Sequence, residues 1–119
     1  MFLNIDKHNK TSIALIDNEN SRITYGELAE RMKETGLKVE PRSIIFNLCK
    51  NTVGAMIGYL GFIENDAVPL NLSRNIDFDL LQTLINTYTP AYMWVPQEDA
   101  KKFVYEAIYS TNGYILLRT

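Results

Sequence analysis

The sequence predicts an α/β fold: a layered, mostly parallel sheet with flanking helices and a short N-terminal hairpin. Two observations carry it. From Ser43 onward, short apolar runs rich in Ile, Phe, Val and Tyr alternate with segments of helical periodicity ten or more residues long, the pattern of parallel crossovers. Composition agrees, since the 119 residues are 46% hydrophobic and 22% charged, as in a globular chain able to bury a core. No internal repeat, low-complexity tract or long linker interrupts the chain, so residues 1–119 read as one domain.

Each element follows from local chemistry. Ile13–Asp17 and Arg22–Thr24 read as two short strands joined by a turn rich in Asn and Ser. Thr24 and Glu27 have the Thr-x-x-Glu spacing of a capping box. They open an amphipathic helix, "YGELAERMKETG", with Leu28 and Met32 one turn apart and Gly36 placed for a left-handed cap. After Pro41, "SIIFNL" is a strand. Asn51 or Thr52 caps the next helix, which runs to about Glu64, and "AVPLNL" is a strand in which Pro69 marks an end or an edge. Asp77 caps a helix carrying Phe78, Leu81, Leu84, Ile85 and Tyr88 at i, i+3, i+4, i+7 spacing, and Pro90 closes it. "AYMWV" is a strand. "QEDAKKFVYEAIY" reads as a further helix with Ala100, Phe103, Val104, Ala107 and Ile108 on one side, before Asn112-Gly113 turns the chain into the strand "YILLR".

Charge and composition exclude several classes. Twelve basic against 14 acidic residues, a net charge of -2, disfavour nucleic acid and anionic membranes as partners. The longest apolar run, Val53 to Ile63, falls short of the roughly 20 residues that span a bilayer. A single cysteine, Cys49, allows no intrachain disulfide, and "MFLNIDKHNK" lacks the basic start and apolar core of a secretory signal. The expectation is a cytoplasmic protein.

"NTVGAMIGYLGF" places Gly54, Gly58 and Gly61 inside eight residues, which raises the question of a phosphate cradle. At about 100° per residue the three fall within an arc of roughly 60°, so they form one stripe on a helix. They cost that helix roughly 3 kcal/mol against alanine, which is offset if a neighbour packs on the bare backbone. A Walker loop needs a Gly-Lys pair, and the chain has none. A dinucleotide fingerprint needs its glycines at the strand-to-helix turn, where this chain has "CKNT". Packing is the reading that survives.

Taken singly, the other candidate residues name no active site. His8 is the only histidine and sits in a polar N-terminus. Cys49 ends a strand, where α/β proteins do place functional groups, but without a base near it in sequence it reads as a small core residue. One His and one Cys do not make a metal site. Glu64, Asp66, Asp77 and Asp79 flank element ends as caps and solvated acids. Tyr92 and Trp94 share one face of a strand, where core or interface burial is favoured over ligand stacking. The sequence therefore assigns no catalytic, cofactor-binding or metal-ligating residue.

In order, however, the phrases "IALIDNENSRITYGELAERM", "RSIIFNLCKNTVGAMIGYLGFIENDAVPLNL", "LLQTLINTYTPAYMWVP" and "NGYILLRT" resemble the opening of the adenylate-forming (AMP-binding) acyl ligases. The resemblance spans residues 12 to 119, with one departure at Asp66, where most members carry glycine. It implies an enzyme that uses ATP and magnesium to turn a carboxylate into an acyl-adenylate and pyrophosphate. The acyl group then passes to coenzyme A or a carrier's phosphopantetheine. In that family the Ser/Thr/Gly-rich loop with its Lys, the acid that contacts the ribose and the mobile C-terminal Lys all lie downstream of the matched region. No site residue carries over. The resemblance thus implies the N-terminal subdomain of a ligase several hundred residues long: a scaffold inactive alone, with the remainder of the ligase as its partner and an exposed face open to self-association. The alternative from another class is a self-contained, non-enzymatic α/β binding or interaction module.

Overall fold

In a computed structural model, residues 13–16 and 22–119 are described. His8 and Asp17 lie outside them. Strands β1 (Ile13–Ile16) and β2 (Arg22–Thr24) pair antiparallel as the expected hairpin. They are followed by α1 (Tyr25–Gly36), β3 (Ile44–Cys49), α2 (Val53–Glu64), β4 (Val68–Ser73), α3 (Phe78–Tyr88) and β5 (Tyr92–Pro96). A 3-10 helix (Gln97–Lys102), β6 (Glu106–Thr111) and β7 (Tyr114–Arg118) complete the order.

The main sheet has the order β4-β3-β5-β7-β6. β3 pairs parallel with both β4 and β5, whereas β7 runs antiparallel between β5 and β6. Four strands therefore share one direction and β7 opposes them. The expected final helix over "QEDAKKFVYEAIY" does not form. Its first part is the 3-10 helix and its second part is β6. Asn112 (φ 50°) and Gly113 (φ 78°) both take positive φ, the requirement of a tight hairpin turn that matches strand twist. That turn holds the β-branched and aromatic run before it against β7. Val104, placed by periodicity on an apolar helix face, is instead fully exposed at 100%.

Alternation sends the sheet's side chains to two cores. Ile45, Tyr92, Trp94, Tyr114 and Leu116 face α2. Phe46, Leu48, Met93, Val95 and Leu117 meet Leu81 and Ile85 of α3 on the other side. The result is three layers, with α1 and α2 on one face and α3 on the other.

The capping box opens α1 as its spacing predicts. The Glu27 N–H donates to Thr24 Oγ1 at 3.2 Å, and the Thr24 N–H donates to Glu27 Oε1 at 3.4 Å. Its far end differs from expectation. Gly36 is the last helical residue and Leu37, with φ -71°, is the right-handed cap. The freed carbonyls are met from α2, where Asn65 Nδ2 donates to Gly36 O at 2.7 Å. Gly36 is there for proximity, because a Cβ on it would strike the Gly61 carbonyl.

α2 is apolar all round and lies between α1 and the sheet, as such a helix must. Its glycine stripe serves packing throughout. A Cβ on Gly58 would overlap the Trp94 indole, one on Gly61 would stand 2.6 Å from the Met32 carbonyl, and one on Gly54 2.5 Å from that of Asn112. The Trp94 Nε1–H donates to Gly54 O at 3.0 Å, with the ring stacked on Tyr114 at 5.4 Å and edge-on to Phe62 at 5.8 Å.

β4 is an edge strand, as Pro69 indicates. The Val68 N–H donates to Ser43 O and the Arg74 N–H to Cys49 O, so the even-numbered residues point their backbone at β3. Pro69 therefore turns its donor-less nitrogen to the open side. Just before β4, Asp66 adopts φ 62°. This is the left-handed region that favours glycine and that Asp tolerates better than most residues, which accounts for the departure at this position.

Gly58→Ala tests the packing of α2. The methyl group meets the rigid Trp94 ring, and overpacking of this kind costs about 1–3 kcal/mol, more than the helix propensity gained. Urea unfolding followed by Trp94 fluorescence should show that loss together with a shifted native emission maximum.

Candidate functional site

In open α/β sheets the loops at the carboxyl ends of parallel strands are where ligands usually bind. Here the residues following β3, β4 and β5 converge into a charged cluster. Lys50 Nζ bridges Glu98 Oε1 at 2.8 Å, Arg74 reaches Glu98 at 3.3 Å and Asp99 at 2.9 Å, and Lys102 approaches Asp99 at 3.4 Å. Asp99 is buried, and its Oδ2 has no hydrogen-bond partner among the described residues. The hydrogen bond from Arg74 to Asp99 raises the guanidinium's pKa further, and the Lys50 hydrogen bond holds Glu98 below the usual carboxylate range. The positive groups that could hold an anion are thus matched by carboxylates from the 3-10 helix.

Lys50, Arg74, Glu98, Asp99 and Lys102 were not singled out by motif reasoning. The usable signal is positional. "CK", "SR" and "PQED" each put charge immediately after a parallel strand, which brings those charges to one edge.

Cys49 opens onto a pocket of about 210 Å³ between the ends of β3 and β4 and the start of α2, lined also by Lys50, Thr52, Met56 and Tyr59. Burial pushes the Cys49 thiol pKa up, and its Sγ donates to Asn47 O at 3.4 Å. A protonated, half-buried thiol is not a prepared nucleophile. Beside it, the Tyr114 hydroxyl donates to Leu48 O at 2.7 Å and accepts from the Lys50 N–H at 3.0 Å. It ties the end of β3 to β7.

The remaining candidates take structural places. Tyr92 and Trp94 are core residues, 6% and 0% exposed, so neither offers a face for stacking. Asp77 is the α3 cap, accepting from the Leu80 N–H at 3.1 Å, and Asp79 lies in that helix's first turn. Glu64 ends α2, and its Oε2 is buried without a partner among the described residues. Among the described residues no three of His, Cys, Asp and Glu group as metal ligands, and no helix is long and apolar enough to cross a membrane. The backbone that Gly54, Gly58 and Gly61 leave bare is occupied by Trp94, Tyr114 and α1.

No family model matches the chain, and no curated protein matches it in sequence. Solved structures do match. A fatty acyl-adenylate ligase from L. pneumophila, in complex with acyl adenylate and pyrophosphate, superposes on 87% of this chain with a TM-score of 0.68 and 17% identity. The N-terminal subdomain of Klebsiella oxytoca NpsA, bound to anthranilyl-AMSN, covers 77% with a TM-score of 0.66 and 20% identity. ATP-bound MatB from Rhodopseudomonas palustris covers 76% with a TM-score of 0.64 and 18% identity. The chain spans 20%, 25% and 19% of those three structures respectively. Its fold is thus the one that these adenylate-forming enzymes contain over a fifth to a quarter of their length.

Two predictions test the strand-end chemistry. Arg74→Met leaves the buried Asp99 carboxylate with only Lys102. It should destabilise the chain by about 1–3 kcal/mol, and Arg74→Met with Asp99→Leu should recover much of that in a double-mutant cycle; additive losses would contradict the pairing. Burial also pushes the Tyr114 phenol from 10.0 up to about 12. With the folded pKa above the unfolded one, its contribution is complete below about pH 10 and lost as pH rises toward 12. Tyr114→Phe should flatten that alkaline slope in chemical-denaturation measurements, at a cost near neutral pH of about 1 kcal/mol or more for the lost hydrogen bonds.

Proposed function

We propose that this chain is the N-terminal subdomain of an ATP-dependent acyl-adenylate-forming ligase and is inactive by itself. The supporting observation is the fold shared over 87% of the chain with a fatty acyl-adenylate ligase of which it spans only 20%. The ordered sequence resemblance over residues 12 to 119 points the same way. In the whole protein a carboxylate oxygen attacks the α-phosphorus of ATP, pyrophosphate leaves, and a thiol of coenzyme A or phosphopantetheine then displaces AMP from the acyl group. The 119 residues contribute a sheet and helices behind that chemistry, and the remainder of the ligase supplies the groups that carry it. A cytoplasmic location is proposed with it, on the single cysteine of the sequence.

Two measurements test this. The isolated chain, incubated with magnesium, ATP, labelled pyrophosphate and a panel of aliphatic and aromatic carboxylates, should show no exchange. The reading frame beyond the Thr119 codon should encode a loop rich in Ser, Thr and Gly followed by Lys. Robust exchange by the isolated chain removes the scaffold reading, and absence of the loop removes the ligase reading in favour of a self-contained binding module.

A further inference from the structure

The two outer faces of the three-layer fold differ in kind. α1 presents Glu27, Glu30, Arg31, Lys33 and Glu34 around its outer side, with Arg31 and Glu34 paired at 3.2 Å. That is the surface of a helix facing water. α3, "FDLLQTLINTY", has no basic residue, and its only acid is Asp79. From Ala67 to Pro96 the charges are Arg74, Asp77 and Asp79 alone. Within this stretch Leu80 is 50% exposed, Tyr88 48%, and Val68 of β4, on the same side of the sheet, 50%. Apart from Asp79, the polar residues on the exposed side of α3 are uncharged: Thr83 and Thr87 turn their hydroxyls back onto the Asp79 and Thr83 carbonyls at 3.1 and 2.8 Å.

Depletion of charge with Tyr and aliphatic residues at the surface is the composition of a contact region, not of a solvated face. Layering points to the same side. A sheet built on parallel crossovers is covered on both faces. On the α1 side this cover is two helices deep. On the other side a single helix and the 3-10 turn cover the same strands and leave Val68 and Leu70 partly bare.

We infer that the α3 face, with Val68 and Leu70 of β4, is the surface on which the remainder of the ligase chain seats through apolar side-chain contacts. The inference rests on the ligase reading and extends it by choosing the face. Its occupant is set by length, since the structural neighbours devote only 19–25% of their chains to this fold.

The test uses the protein encoded by the complete reading frame. Leu80→Cys, Tyr88→Cys and, on α1, Glu30→Cys are labelled with a maleimide and read site by site by mass spectrometry, natively and in urea. Native labelling at residues 80 and 88 should be at least tenfold slower than at residue 30, with all three alike in urea. Hydroxyl-radical footprinting of the unsubstituted Tyr88 gives the same comparison without a mutation. Equal native rates on α3 and α1 overturn the inference, as does a frame that ends at Thr119. Protection that disappears on dilution overturns it in favour of a second copy. Pyrophosphate exchange by the same protein is scored separately. Its absence sinks the ligase reading, while the labelling pattern still decides whether α3 is covered.

Discussion

The approach of α2 to the Trp94 indole is the contact on which the rest of the structure depends. Trp94 lies on the central strand of the sheet, and α2 passes over it this closely because residue 58 has no Cβ. The closeness lets the indole N–H reach the Gly54 carbonyl, so a large buried polar group is satisfied. From that crossing the other positions follow. Gly61 and Gly36 let α1 lie against α2, Asn65 answers the carbonyls at the end of α1, and Tyr114 stacks beneath the indole while holding the ends of β3 and β7 together. Roughly 3 kcal/mol of helix propensity forgone at three glycines is offset by a continuous core of Trp94, Phe62 and Tyr114.

The same crossing answers the question the glycines raise. A phosphate cradle needs bare backbone N–H groups turned to an open space at the start of a helix. Here the bare backbone is turned inward and filled. At the carboxyl ends of the strands, Lys50 and Arg74 are held by Glu98 and Asp99. Both arrangements are in keeping with the scaffold role proposed for the chain.

Much of this was legible in the sequence because it is local. The capping box at Thr24 and Glu27, the Asp77 cap, the edge position of Pro69 and the burial of Tyr92 and Trp94 each follow from a few adjacent residues and come out as expected. The misreadings have a common cause. Residues 103–108 satisfy a helical period, yet partners elsewhere decide their conformation, since the turn at Asn112-Gly113 makes β7 available as a ladder. Gly36 sits where a left-handed cap belongs, but the reason for glycine there is Gly61, twenty-five residues on. The charged cluster has no local signal in the sequence, because its members are spread from residue 50 to residue 102 and meet only through the strand order.

Pro69 has a consequence for how this molecule can grow. Along the open edge of β4 the outward backbone positions are Pro69, Asn71 and Ser73, and the first has no hydrogen to give. A strand arriving there would find a ladder with a missing rung at the end where the apolar side chains Val68 and Leu70 are most exposed. Sheet extension is discouraged where hydrophobic attraction is strongest, which protects the edge from pairing with stray copies while leaving its flank free to be packed against. The edge is closed to backbones and open to side chains.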